Sequence, residues 1–195
     1  MKKIRTVLAS SSPRRLQLLN LLKINPVVLE PDIDEKIKPS ESVSEFIKRV
    51  SIEKGNNIYN QSLKKDLIIS SDTVVVLEGK IIGKPKHRKD AARILKELSG
   101  KEHTVLTGIA LKYNNMNIYN YSFTGVIFTK LSEKEIEIYL NLEDYRDKAG
   151  GYAIQGRASI FVNEIHGCFF NVMGFPLNLF YEMIKNIGIS LEDLG

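Results

Sequence analysis

A serine-rich turn near the start of the chain leads into two arginines, in the sequence SSSPRR at residues 10–15. Ser12 is a good helix N-cap and Pro13 suits the first helical position, so this pattern predicts a helix that begins here. Two cations in the first turn oppose the positive end of the helix dipole unless an anion binds there. Hydroxyls, guanidinium groups and free backbone N–H groups together suit a polyphosphate. Two solvated arginines explain the same residues equally well.

An aspartate, Asp72, lies between two runs that are typical of a buried strand, residues 67–69 and 74–77. A buried carboxylate must be paired, hydrogen-bonded or bound to a metal. Asp72 is therefore a candidate general base for water, or a metal ligand, where polar residues interrupt the strand. The structural alternative is an aspartate that caps a neighbouring turn.

Acidic residues cluster before the second predicted helix, at Asp32, Asp34 and Glu35. Such clusters are commonly solvated surface. Carboxylate oxygens are also the ligands of the hard cations that accompany phosphate chemistry. We therefore expect Glu35 and Asp72 to contribute to a Mg²⁺ or Mn²⁺ site.

Three further polar residues have an ordinary explanation beside a functional one. Lys84, in the proline-stiffened sequence GKP, could contact phosphate as a point charge, and Lys54, late in a predicted helix, could do the same. Gln155, in the glycine-rich segment 147–156, could pair with the edge of a base. A solvated lysine or a structural turn accounts for each of them alone. The three histidines lack the spacing of zinc ligands.

Composition limits the class of protein. The 195 residues are 43% hydrophobic and 26% charged, which excludes a disordered or fibrous chain. The sequence has neither the long apolar run of a membrane span nor a signal-peptide core, and its single cysteine excludes an internal disulfide, so we expect a cytoplasmic protein. The net charge of +5 favours an anionic partner, and residues 1–100 carry 20 lysines and arginines against 12 acidic residues.

The elements that must position these residues alternate between helix and strand. The apolar run 4–9 predicts a strand before the first helix, which buries Leu16, Leu19 and Leu22. A second helix is predicted over residues 42–59, with Glu45 paired to Arg49, and a hairpin turns at residues 114–117. Residues 160–165 predict a further strand. The chain is therefore an α/β protein with a mixed sheet.

Eight segments, in order along nearly the whole chain, resemble the Maf family of nucleoside triphosphate pyrophosphatases. They are Leu8–Arg15, Asp34–Glu35, Ser71–Thr73, Gly83–Pro85, Leu98–Gly100, Asp147–Gly150, Ile154–Gly156 and Asn171–Leu177. The resemblance implies hydrolysis of a nucleoside triphosphate to the monophosphate and diphosphate with Mg²⁺, Mn²⁺ or Co²⁺. It also implies one domain over residues 1–195, with an elongated mixed sheet, flanking helices and two lobes around a central cleft, similar to the inosine triphosphate pyrophosphatases. A homodimer is possible.

The resemblance also implies a role for individual residues. Asp72 matches the proton acceptor of the family, and Glu35 matches an acidic residue important for activity. Phosphate-contacting positions are matched by Ser10, Arg15, Lys54 and Lys84, and positions that set base preference by Arg14, Thr73 and Gln155. The motifs resemble the branch that acts on dTTP and UTP. The alternatives are a 7-methyl-GTP pyrophosphatase and a non-enzymatic, division-linked regulator that binds nucleic acid, although the chain lacks a nucleic-acid-binding motif.

Overall fold

The computed structural model describes residues 3–63 and 65–194, and these form a mixed sheet with flanking helices. The strands are β1 (Thr6–Ala9), β2 (Val27–Leu29), β3 (Leu67–Leu77), β4 (Lys80–Ile82), β5 (Glu102–Tyr113), β6 (Met116–Phe128) and β7 (Val162–His166). The helices are α1 (Pro13–Leu21), α2 (Val43–Tyr59), α3 (Arg88–Leu98), α4 (Glu133–Leu142), α5 (Phe169–Val172) and α6 (Leu177–Asn186). Short 3₁₀ turns cover Ala149–Gly151, Arg157–Phe161 and Leu191–Asp193.

The strand order in the sheet is β2-β1-β3-β5-β6-β7, and β4 pairs with β3 beside this path. β1 runs parallel to β2 and β3, whereas β4 is antiparallel to β3 and β7 is antiparallel to β6. The predicted hairpin joins β5 to β6 through Asn114 and Asn115, and Asn114 adopts a φ of 52°. The predicted α/β class with a mixed sheet is confirmed.

The described residues divide into two compact units. Unit 1 comprises those of Met1–Asp72, Thr107–Ser122 and Gly174–Gly195, and unit 2 comprises Thr73–Leu106 and Phe123–Met173. The division passes through β3, so Asp72 ends the first segment of unit 1 and Thr73 begins unit 2. The expected single domain of two lobes stays a prediction.

In unit 1, α2 packs closely against β3. The helix begins with a capping box in which the Ser42 side chain and Glu45 bond each other's backbone N–H groups. Glu45 therefore serves the cap, and the predicted pair with Arg49 is wrong, because Arg49 bonds Glu41 and Glu53 instead. The helix continues through Gly55, where a Cβ atom would come 2.8 Å from the Ser70 Oγ. The lack of a side chain at Gly55 lets the helix approach the strand.

The strand β3 is continuous over Leu67–Leu77, so the predicted long buried strand is confirmed, and its polar residues interrupt the apolar run without ending the strand. Three consecutive polar residues continue it because each has a partner inside unit 1. Ser70 Oγ donates to the Ser51 carbonyl at 2.7 Å, Ser71 Oγ donates to the Gly174 carbonyl at 3.1 Å, and Asp72 accepts a bond from Lys54. Satisfied polar groups can remain in a buried strand.

Unit 2 has its own apolar core, built from α3, α4 and the ends of the long strands. The strand predicted over residues 160–165 begins later than expected, at Val162. Residues 157–161 form a 3₁₀ turn instead, closed by the Ser159 N–H on the Gly156 carbonyl. The turn buries Phe161 and leaves Ile160 76% exposed, so only one of these two apolar residues joins the core.

Within residues 3–63 and 65–194, none of the helices is both long and apolar enough to cross a bilayer.

Candidate active site

The turn between β1 and α1 is organised by a serine hydroxyl. The Ser10 Oγ accepts the Ser12 backbone N–H at 3.1 Å and the Arg15 Nη1 at 3.0 Å. Ser12 is the N-cap residue and Pro13 the first helical residue, as predicted, but among the described residues the Ser12 side chain makes no capping bond. Ser10 therefore connects the end of β1 to the first turn of α1.

Arg15 is buried in the first turn of α1, with only 8% of its surface exposed. The helix buries Arg15, Leu18 and Leu19, so the predicted face of Leu16, Leu19 and Leu22 is only partly right. The Arg15 Nε donates to the Gly174 carbonyl at 3.0 Å. Burial lowers the pKa of Arg15, an effect that the negative charges of Asp72 and Glu35 oppose and that Arg14 reinforces. A solvated surface role is thereby excluded for Arg15.

Lys54 joins the two carboxylates that the sequence singled out. Its Nζ lies 2.6 Å from the Asp72 Oδ1 and 2.8 Å from the Glu35 Oε1. The side chains of Lys54 and Asp72 are 6% and 12% exposed, whereas the Glu35 side chain is 44% exposed. The prediction that Asp72 is buried only with a partner is confirmed, and the partner is an ammonium group.

The helix α2 also holds the loop that carries Glu35. Asn57 exchanges two hydrogen bonds with the backbone of Asp32, at 3.2 and 3.0 Å. Arg49 donates to the Lys36 carbonyl at 2.8 Å. The loop is therefore tied on both sides of Glu35, and the same helix supplies Lys54. The acidic neighbours Asp32 and Asp34 are exposed.

Ser71 and Gly174 were missing from the sequence-based site. The Gly174 carbonyl accepts both the Arg15 Nε and the Ser71 Oγ, so it connects α1 with β3. Both residues lie inside segments that resemble the family, but nothing in the sequence indicates that the Ser71 hydroxyl and the Gly174 carbonyl form a hydrogen bond. The positive φ of Gly174, 103°, is a structural signal that only the backbone reveals.

The carboxylates of Glu35 and Asp72 suit a hard divalent cation. Both already contact one positive group, the Lys54 ammonium, so the structure places two anionic oxygen donors around a cation. Mg²⁺ is commonly held by one or two carboxylates together with substrate phosphates and water. In residues 3–63 and 65–194, no group of three or more His, Cys, Asp or Glu residues is placed to hold a metal ion, so phosphate and water would have to complete the coordination.

The remaining predicted residues belong to unit 2, except Arg14. Arg14 is half-buried in the first turn of α1, within electrostatic reach of Arg15. Thr73 is half-buried on β3, Lys84 is exposed after β4, and Gln155 is exposed in the turn that precedes residues 157–161. Lys84 lines a cavity of about 530 Å³ in unit 2. The roles of Thr73, Lys84 and Gln155 stay predictions.

Comparison with known proteins gives a consistent set of relatives. Residues 5–187 match the model of a family described as Maf-like protein. The chain is 42% identical over 187 residues to a dTTP/UTP pyrophosphatase of Thermosipho africanus, with 95% of each chain covered. It is 43% identical over 188 residues to a dTTP/UTP pyrophosphatase of Thermotoga maritima, covering 95% of this chain and 90% of that protein.

A solved structure also shares the fold. The Staphylococcus aureus Ham1 protein superposes with a TM-score of 0.52 at 11% identity, covering 94% of this chain and 99% of that one. At this level of identity the likeness concerns the fold alone.

Replacing Lys54 tests whether the buried ion pair holds unit 1 together. We expect Lys54→Met to lower the free energy of unfolding by about 3 kcal/mol, because it leaves the buried Asp72 carboxylate without its cation. Urea denaturation measures this loss. Lys48→Met, an exposed lysine on the same helix, is the matched control and should change stability by less than about 0.5 kcal/mol. Equal stability of the two variants would contradict the structural role of the pair.

Proposed function

Because the chain belongs to the Maf family, we propose that it is a nucleoside triphosphate pyrophosphatase that hydrolyses dTTP and UTP to the monophosphate and diphosphate. The relatives that carry this name are about 40% identical to the chain over almost its whole length. One structural observation carries the proposal: the buried carboxylate of Asp72 forms an ion pair with the Lys54 ammonium. The buried Arg15 belongs to the same unit, unit 1. A base and cations for a polyphosphate are thereby provided together.

The start of α1 is the proposed phosphate-binding element. Guanidinium groups bind phosphate through two parallel N–H bonds, and helix N-termini add backbone N–H donors. Arg14 and Arg15 supply the guanidinium groups, and Ser10 holds Arg15 in place. We assign Lys54 and, in unit 2, Lys84 as further phosphate contacts. Neutralisation of charge and positioning supply most of the rate in phosphoryl transfer.

Asp72 is the proposed general base. Its carboxylate accepts a proton from water, and the water oxygen forms a bond to the α-phosphorus. The bond between the α-phosphorus and the bridging oxygen breaks, and diphosphate leaves with the electron pair. Lys54 fixes the Asp72 Oδ1 at 2.6 Å, which restrains the orientation of the carboxylate. General-base catalysis contributes a factor on the order of 10² to 10⁴.

Glu35 and Asp72 are the proposed ligands of a divalent cation, with Mg²⁺, Mn²⁺ and Co²⁺ as candidates. When bound, such a cation neutralises charge on the phosphate oxygens. Glu35 suits this role because its side chain is half-exposed and already faces a positive group.

Thr73 and Gln155 are proposed to read the base, together with Arg14. The names of the relatives favour pyrimidine substrates over 7-methyl-GTP. Binding of a nucleic-acid polymer is disfavoured at this site, because Arg15 and Lys54 are buried, whereas a polymer binds cations on the surface. The single cysteine supports a reducing compartment, and we propose the cytoplasm. A homodimer stays a prediction.

Replacing Asp72 separates a catalytic role from a structural one. We expect the wild-type protein with Mg²⁺ to release diphosphate from dTTP and UTP faster than from 7-methyl-GTP. Asp72→Asn should reduce turnover of dTTP at least 10²-fold, because the amide cannot accept the proton from water. Diphosphate release measures turnover, and calorimetry measures dTTP binding, which should persist in the variant.

A second buried aspartate provides the matched control. Asp66 accepts bonds from the Arg5 side chain and the Leu63 N–H, and it lies outside the proposed machinery. Asp66→Asn should lower stability and leave turnover unchanged. Turnover by Asp72→Asn at the wild-type rate would remove Asp72 as the base, and a wild-type protein that releases no diphosphate from any of the three nucleotides would defeat the proposed function.

Replacing Gln155 tests the proposed recognition of the base. Gln155→Ala should narrow the preference for dTTP over 7-methyl-GTP by about tenfold in kcat/KM, because a lost bidentate contact removes about 1 to 2 kcal/mol of discrimination. The exposed Gln61→Ala is the control and should keep the wild-type preference. If Gln155→Ala also keeps it, this residue does not read the base.

A further inference from the structure

We infer that Ser71 is a positioning residue of this site, which acts through the Gly174 carbonyl to hold the Arg15 guanidinium in its phosphate-binding orientation. The inference rests on the proposed function, because it assigns a role to a residue beside the proposed catalytic machinery. It assigns an indirect role to a hydroxyl and a backbone carbonyl, which act through the Arg15 side chain.

Arg15 and Ser71 share one hydrogen-bond acceptor. The Gly174 carbonyl accepts the Arg15 Nε at 3.0 Å and the Ser71 Oγ at 3.1 Å. A carbonyl oxygen has two lone pairs, so both bonds form at once. All three residues are buried, and Ser71 is fully so. In a buried environment, water does not replace a lost hydrogen bond, so each bond restrains the direction of the carbonyl.

The carbonyl is also restrained by its own chain. Gly174 has a φ of 103°, a conformation that residues with a Cβ atom rarely adopt. The next residue, Phe175, is fully buried, and the centroid of its ring lies 5.3 Å from the ring centroid of Phe180 in α6. The peptide after Gly174 is therefore anchored in the core of unit 1, and the Ser71 hydroxyl completes the restraint from the side of β3.

Orientation matters for Arg15 because a guanidinium is planar. Its bonds to the protein include one from the Nε to the Gly174 carbonyl and one from the Nη1 to the Ser10 hydroxyl. Two bonds from different nitrogens define the plane of the group, and phosphate recognition by a guanidinium depends on that plane. If the Gly174 carbonyl could turn, the Nε bond would weaken and the plane would become free to rotate.

The alternating directions of the side chains along β3 provide an internal control. Successive side chains of a strand point to opposite faces, so Ser70 and Asp72 share one face and Ser71 lies on the other. Ser70 is also fully buried, and its Oγ donates to the Ser51 and Ala110 carbonyls in unit 1. Replacement of either serine by alanine removes the same atom from the same strand, but only Ser71 is connected to Arg15.

The experiment compares KM and kcat for dTTP with Mg²⁺ in the wild type, Ser71→Ala and Ser70→Ala. Ser71→Ala should raise KM about tenfold and leave kcat within about twofold, because it loosens a phosphate-binding group and not the base. Ser70→Ala should lower the thermal midpoint and leave KM unchanged. Ser71→Cys, which keeps a weaker donor, should give an intermediate KM and provides a readout if the alanine variant fails to fold.

A double-mutant cycle shows whether Ser71 acts through Arg15. Arg15→Lys removes the bond from the guanidinium Nε to Gly174. The double variant Arg15→Lys/Ser71→Ala should therefore have a KM less than twofold above that of Arg15→Lys alone. The inference is overturned if Ser71→Ala keeps the wild-type KM, if it lowers kcat alone, or if the two effects multiply. Each of these outcomes requires a wild-type enzyme that is active. If the proposed function is wrong, the wild-type protein itself releases no diphosphate, so the two failures can be distinguished.

Discussion

The buried charge of Asp72 is the constraint on which the site depends. A carboxylate withdrawn from water must have a partner, and here the partner is the Lys54 ammonium at 2.6 Å. The pair joins β3 to α2, and the second contact of Lys54, to Glu35, joins both to the loop before that helix. One cation therefore joins three successive segments of the chain.

The packing of unit 1 follows from this requirement. For Lys54 to reach Asp72, α2 must lie close to β3, and Gly55 permits that approach beside Ser70. On the opposite face of β3, Ser71 is bonded to Gly174, which in turn accepts Arg15. The proposed base, Asp72, and the residue that is bonded through Gly174 to the proposed phosphate-binding Arg15 are thus neighbours in one strand.

The amino-acid sequence predicted the parts of the site whose chemistry is visible in side-chain types. It identified the α/β class, the helix start at Pro13 and the need of Asp72 for a partner. It did not show that Lys54 would be that partner, because a lysine late in a helix has the same pattern whether it faces solvent or a carboxylate. It missed Ser71 and Gly174 because the acceptor is a backbone carbonyl, and the direction of a carbonyl depends on tertiary structure.

Errors in the predicted elements have similar causes. Four polar residues in a row, Ser70–Thr73, were expected to interrupt β3, but the side chains of Ser70, Ser71 and Asp72 have partners from elsewhere in unit 1. The strand at residues 160–165 was predicted from its apolar residues, although the turn that buries Phe161 exposes Ile160. Local patterns do not reveal partners that come from distant parts of the chain.

The most direct test of the central claim is the destination of the oxygen atom from water. Hydrolysis of dTTP in water enriched with oxygen-18, followed by mass spectrometry of both products, shows which phosphorus is attacked. If water activated by Asp72 attacks the α-phosphorus, the monophosphate carries one oxygen-18 atom and the diphosphate carries none. Oxygen-18 in the diphosphate would contradict the account, because water would then have attacked the β-phosphorus.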